Sequence, residues 1–197
     1  MITAGKKSEV HWGKGNWAFL DIGFSNNRPS CGFVFADDPP KNLRYGEARR
    51  AIVDLILRHN STMNLVIEAP LSVCFDADRN PKGRIMEKQG SRTRYWYNGL
   101  GCAVLTAATY LIRDIYEATT SLPNVNVHHF EGFVSFKEGG TDHKKDACEL
   151  RKRVREAPLN NGSIYDSDEL RLCESDQICS ALCVAGLDYG VPAVIIA

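Results

Sequence analysis

Residues 64–69, NLVIEA, form a continuous apolar run closed by Pro70. An unbroken run of that length reads as a strand buried on both faces. Such strands belong to sheets covered by helices, with helical crossovers joining parallel neighbours. The run ends in a carboxylate, Glu68. Residues 17–24, WAFLDIGF, repeat the theme with Asp21 near the end of an apolar strand. After the turn-rich SNNRP, residues 31–36 complete a hairpin.

Around these runs the pattern alternates. Ala48, Ala51, Ile52, Leu55 and Ile56 recur at helical spacing, predicting a helix over 46–59. Further helices are expected at 100–118, 142–156 and 166–187, with strands at 125–130 and 191–197. A third short strand at 41–45 is left open. The result is a mixed α/β sheet with an antiparallel N-terminal hairpin, parallel central strands and flanking helices. Ligands in such sheets bind beyond the carboxyl ends of the strands, where strand order switches. Asp21 and Glu68 both fall there.

The 197 residues suit a single domain over 1–197, with a loop insertion at about 71–98. Residues 100–118 are interrupted by Arg113 and Asp114, so they read as a buried helix and not a membrane span. The first residues carry no apolar stretch of signal-peptide type. The seven cysteines are odd in number and form no CxxC pair, which points to small buried hydrophobes in a reducing cytoplasm. Lysine plus arginine equals aspartate plus glutamate at 24 each, so any nucleic-acid footprint is local.

A carboxylate buried in a sheet is unfavourable unless a cation or hydrogen bonds compensate it. Two of them on neighbouring strands, about 4.8 Å apart, would repel strongly. A hard divalent cation such as Mg²⁺ relieves both problems. The alternative is that one acid caps a helix while the other pairs with an arginine.

The turn Asp21-Ile22-Gly23-Phe24-Ser25 resembles the ribonuclease H-like superfamily, especially its Holliday-junction resolvase branch. VIEAPLS at 66–72, and VNVHHFEGFVSF at 125–136 followed by HKKDACELRKRV, are similar to a family of predicted nucleases known only as a domain of unknown function. The segment ESDQICSALCVAG, 174–186, resembles the superfamily's last helix, with Asp176 at a metal-binding position. The acid usually seen just before the Ala-Leu pair is replaced by Ser180, a departure that leaves the four-carboxylate set incomplete. The resemblance implies a two-metal phosphodiester hydrolase using Mg²⁺ or Mn²⁺. Asp21 would bridge the ions, Glu68 and Asp176 would flank them, and Lys145 or Lys144 would orient water or neutralise phosphate. Two metals in such sites lie about 3.5–4 Å apart. Glu131 is a weaker fourth carboxylate. Asp166 and Asp168 suit a helix N-terminus.

Two segments break the overall neutrality. Residues 78–98 carry Arg84, Arg92 and Arg94 followed by Tyr95, Trp96 and Tyr97. Arginine beside aromatic rings suits single-stranded or distorted nucleic acid, where phosphates meet cations and bases stack. The alternative is a solvated loop whose aromatics cover the core. Lys144 opens the second segment, which continues through Lys145, Arg151, Lys152, Arg153 and Arg155. His128 and His129 alternate across a strand, so one must face inward as a core residue.

Three classes of function follow. The first is a metal-dependent nuclease acting on DNA or RNA. The second is an inactive ribonuclease H-like module, serving as a scaffold in a larger complex. The third, a sugar-kinase or actin-type phosphotransferase, needs two such domains and a second Asp-x-Gly turn. Resolvases of this superfamily commonly act as dimers, so a homodimer is also open, and no membrane partner is expected.

Overall fold

The computed structural model describes residues 1–25, 27–59, 61–94, 99–136, 142–157, 159, 161–183 and 189–197. Among these residues the protein has a mixed α/β architecture, a large central sheet flanked by three α-helices. The strands are β1 (Ile2–Ala4), β2 (Asn16–Asp21), β3 (Cys31–Phe35), β4 (Lys41–Leu43), β5 (Met63–Glu68), β6 (Ser72–Phe75) and β7 (Pro81–Lys82). They continue as β8 (Lys88–Gln89), β9 (Arg92–Thr93), β10 (Val127–Phe133), β11 (Ile164–Tyr165), β12 (Gln177–Ser180) and β13 (Val194–Ile196). The helices are α1 (Tyr45–His59), α2 (Leu100–Thr119) and α3 (His143–Glu156).

The central sheet runs β11-β13-β10-β5-β2-β3-β4. β2, β5, β10 and β13 are parallel, while β3, β4 and β11 run antiparallel to their neighbours. β1 and β13 occupy successive stretches of one edge of β10. The short strand at 41–43 closes the hairpin side.

Period-two alternation sorts the side chains onto two cores. Ala18 and Leu20 of β2, with Met63, Leu65 and Ile67 of β5, face α1 and α2, where Ile52, Ile56, Leu111, Ile112 and Ile115 meet them. Trp17, Phe19, Val66 and Phe130 face the opposite way, against Ala147, Leu150 and Val154 of α3. Full burial of each large aliphatic side chain stabilises the fold by roughly 1.5–3 kcal/mol. Both faces of the central strands are therefore sealed, as the unbroken apolar runs require.

The expected helix over 166–187 does not form. Ser167–Leu170 is a 3-10 turn, bracketed by hydrogen bonds between the Asp166 and Glu169 side chains and the turn backbone. Gln177–Ser180 is then a strand pairing with β6. Apolar residues at Ile178 and Leu182 matched a helical spacing, but the free edge of β6 supplies backbone partners that an isolated turn of Ser and Cys residues lacks. Residues 184–188 lie outside the described residues. The insertion at 71–98 is likewise no simple loop: β12-β6-β7 form a small second sheet and β8–β9 a hairpin. No described helix is long and apolar enough to cross a membrane.

Candidate metal centre

Asp21 ends β2 and Glu68 ends β5, and the two are direct register partners on these parallel strands. Counting back in twos, Asp21 shares a face with Phe19 and Trp17, and Glu68 with Val66, so both carboxylates lie on the α3 side. On the other flank of Asp21 the register partner is Gly32 of β3. A Cβ at Gly32 would fall 1.9 Å from the His143 carbonyl oxygen, and one at Gly23 would fall 2.5 Å from the His143 ring. These two glycines open the gap through which the start of α3 approaches the sheet.

Asp142 caps α3, accepting a hydrogen bond from the Lys145 backbone N–H at 3.3 Å, and so places His143 at the first helical position. His143 Nδ1 then lies 2.7 Å from Asp21 Oδ1. Asp21 is fully buried, and its Oδ2 has no hydrogen-bond partner among the described residues. One ligand atom from each of Asp21, Glu68 and His143 falls within 4.8 Å of the others, a cluster able to hold a metal ion. The orphaned Asp21 oxygen and the donor set, two carboxylates and one imidazole, fit a divalent cation. A cleft of about 330 Å³, lined by Arg28, Pro29, Ser30, Asn42, Asp142 and His143, opens beside it.

The remaining expected residues go elsewhere. Asp176 precedes β12, and its neighbour Gln177 pairs with Phe75, the end of β6 remote from Glu68. There Asp176 Oδ1 lies 2.7 Å from Lys82 Nζ and accepts from Cys173 Sγ at 2.9 Å, and the backbone N–H groups of Leu172 and Cys173 donate to Oδ2. Hydrogen bonds from Cys173 and Lys82 hold this carboxyl well below the usual carboxylate range. Asp176 is thus neutralised in place and is not brought to Asp21 and Glu68. Lys145 leaves its side chain 81% exposed, with Asp142 as its ion-pair partner at 3.9 Å. Lys144 is half-buried in the first turn of α3.

Arg84, expected at a nucleic-acid surface, is instead fully buried. Its Nη1 donates to Glu131 Oε1 at 2.7 Å and to Ser72 Oγ at 2.6 Å, and Nη2 donates to Glu87 at 3.1 Å. Glu131 lies within β10, not after it, and opposite Ile67 in register, so it faces away from Glu68. Burial pushes its carboxyl upward, against the pull of Arg84. Arg92 is exposed on β9 and Arg94 is exposed just beyond it; Tyr95, Trp96 and Tyr97 lie outside the described residues. His129 is the inward histidine of its pair, and burial lowers its pKa to about 4.

His143 was not anticipated from the sequence. Its signal was a helix-capping Asp142 directly before it, together with two glycines, Gly23 and Gly32, flanking the carboxylate strand. Comparison of the chain with protein-family models, curated proteins and solved structures returned no match.

Proposed function

We propose that the chain is a divalent-metal-dependent nuclease on a ribonuclease H-like fold, hydrolysing phosphodiester bonds of DNA or RNA. The antiparallel hairpin, the parallel β2–β5–β10 core and helices on both faces support that fold. One observation carries the reading: the register-matched pair of buried Asp21 and half-buried Glu68, with an orphaned Asp21 oxygen and the His143 imidazole beside it.

Asp21, Glu68 and His143 would hold the ion, Mg²⁺ or Mn²⁺, and the nitrogen donor tips the preference toward Mn²⁺. Such an ion, when bound, lowers the pKa of a coordinated water and polarises a phosphoryl oxygen. β2 and β5 fix the two carboxylates on rigid strand ends, and α3 excludes water from the buried side of Asp21. Arg28, on the rim of the adjoining cleft, supplies a cation for a substrate phosphate.

Calorimetry with Mn²⁺ tests the site. The parent should bind, and Asp21→Asn should bind about 100-fold more weakly or not at all, since losing even an outer partner typically costs 10–100-fold. The same variant should lose Mn²⁺-dependent cleavage of a mixed DNA and RNA oligonucleotide panel. Equal cleavage by parent and variant would refute the assignment. The placement of Asp176 on Lys82 favours a second reading, a scaffold module short of its acidic set. Nucleic-acid binding without any Mg²⁺- or Mn²⁺-dependent cleavage would select it.

A further inference from the structure

A second cavity, of about 480 Å³, opens at the carboxyl ends of β10 and β13 and shares no lining residue with the acidic pair. Its walls include Lys88 of the β8–β9 hairpin, Arg153 of α3, Phe136 and Tyr165. No acidic side chain lines it among the described residues. Arg153 Nε is buried without a hydrogen-bond partner, and its ion pair to Glu156 is long at 3.8 Å. A guanidinium so placed has donor capacity that the protein itself leaves unused. Phe136 adopts a φ of 59°, a left-handed conformation unfavourable to a bulky side chain, and its ring lies 6.4 Å from that of Phe133. Strain of this kind persists where the surroundings fix a side chain in place.

We infer that this cavity receives one nucleotide of a single-stranded polynucleotide, its base against Phe136 and Tyr165 and its phosphates against Lys88 and Arg153. The volume falls within the range of small-ligand pockets, about 300–1,000 Å³. Flat rings flanked by cations are the lining that splayed-out nucleotides meet. Arg153 lies ten residues after His143 on α3, about 15 Å along the helix at 1.5 Å per residue. A single strand laid along α3 would pass both sites; the helix runs down the sheet face from His143 at Asp21 to Arg151, which bonds the Ala36 and Asp38 carbonyls. Lys88 sits on the same hairpin as Arg92, so the exposed basic residues of that hairpin continue the path. This inference rests on the nuclease reading, and names the strandedness of its substrate.

The test is fluorescence anisotropy of labelled single-stranded and duplex oligonucleotides in chelator, where no cleavage occurs, on the full chain. The combined variant Lys88→Gln, Arg153→Gln should bind the single strand about ten-fold more weakly. Its log–log salt dependence should be shallower by about 1.4, two phosphate contacts at about 0.7 each. Phe136→Gly relieves the backbone conformation while removing the ring, and it should weaken binding without losing the folded state in a thermal melt. Unaltered single-strand affinity in both pocket variants, equal binding of duplex, or no binding by the parent overturns the pocket. If instead the pocket variants weaken binding but the parent shows no Mn²⁺-dependent cleavage, the pocket stands and the metal reading falls.

Discussion

Arg84 bridges Glu131 and Glu87 with all three side chains fully buried, and Glu131 in turn accepts from both the backbone N–H and the hydroxyl of Ser72 at 3.0 Å. Ser72 begins β6, four residues after Glu68. The cluster therefore anchors the chain where it leaves the candidate metal centre. Removing one member of a buried ion network strands the others without compensation. Arg84→Met should cost roughly 3–5 kcal/mol in urea unfolding, and adding Glu87→Gln and Glu131→Gln should recover much of that loss. A loss below about 1 kcal/mol would mean that water reaches the two glutamates.

Metal removal offers a stability readout independent of catalysis. A ligand that binds only the folded chain stabilises it by about 2.7 kcal/mol at 100 times its dissociation constant. For a domain of this size that is a rise of about 5–10 °C in Tm. Mn²⁺ should produce this rise in the parent, chelator should reverse it, and Glu68→Gln should abolish it. Parent and variant shifting alike would place the ion elsewhere.

His129 predicts a pH dependence. Its folded pKa is about 4, against 6.5 for the exposed imidazole, because burial penalises the charged form. Between these values the unfolded chain binds more protons than the folded one, so stability rises with pH across that window. Lowering pH from 6.5 to 4 should remove stability progressively, by up to about 3 kcal/mol at 1.36 kcal/mol per unit. His129→Leu should flatten that part of the curve. An unchanged slope in the variant would assign the effect to other groups.

What could be read from the sequence divides along a physical line. Asp21 and Glu68 each end a local apolar run, and adjacent parallel strands bring the ends of such runs together. His143 reaches them only because α3 crosses the sheet above Gly32, a relation between segments 111 residues apart (143 minus 32) that no local pattern records. Its lysine neighbours drew attention through charge, yet the cap at Asp142 turns Lys145 outward. Arg84 belonged to a basic run, but its partners lie 3 and 47 residues away, so its burial was invisible locally. Asp176 rests on the resemblance of residues 174–186 to a last helix, but pairing with β6 makes Gln177–Ser180 a strand instead.

The approach of α3 to Gly32 gives the sharpest mutational forecast. A methyl group there would sit 1.9 Å from the His143 carbonyl oxygen and 2.6 Å from the Lys144 nitrogen, both backbone atoms of a capped helix start that cannot swing aside. Gly32→Ala must therefore displace the first turn of α3 or distort β3, and overpacking of this kind typically costs about 1–3 kcal/mol. Because displacement carries His143 off Asp21, Mn²⁺ affinity should fall together with stability. Gly46→Ala is the control: a Cβ there meets nothing within 4 Å, and within α1 alanine is the better helix former by about 1 kcal/mol. That variant should gain stability and keep Mn²⁺ binding. Should Gly32→Ala bind Mn²⁺ as tightly as the parent, His143 is not a ligand, and the centre reduces to its two carboxylates.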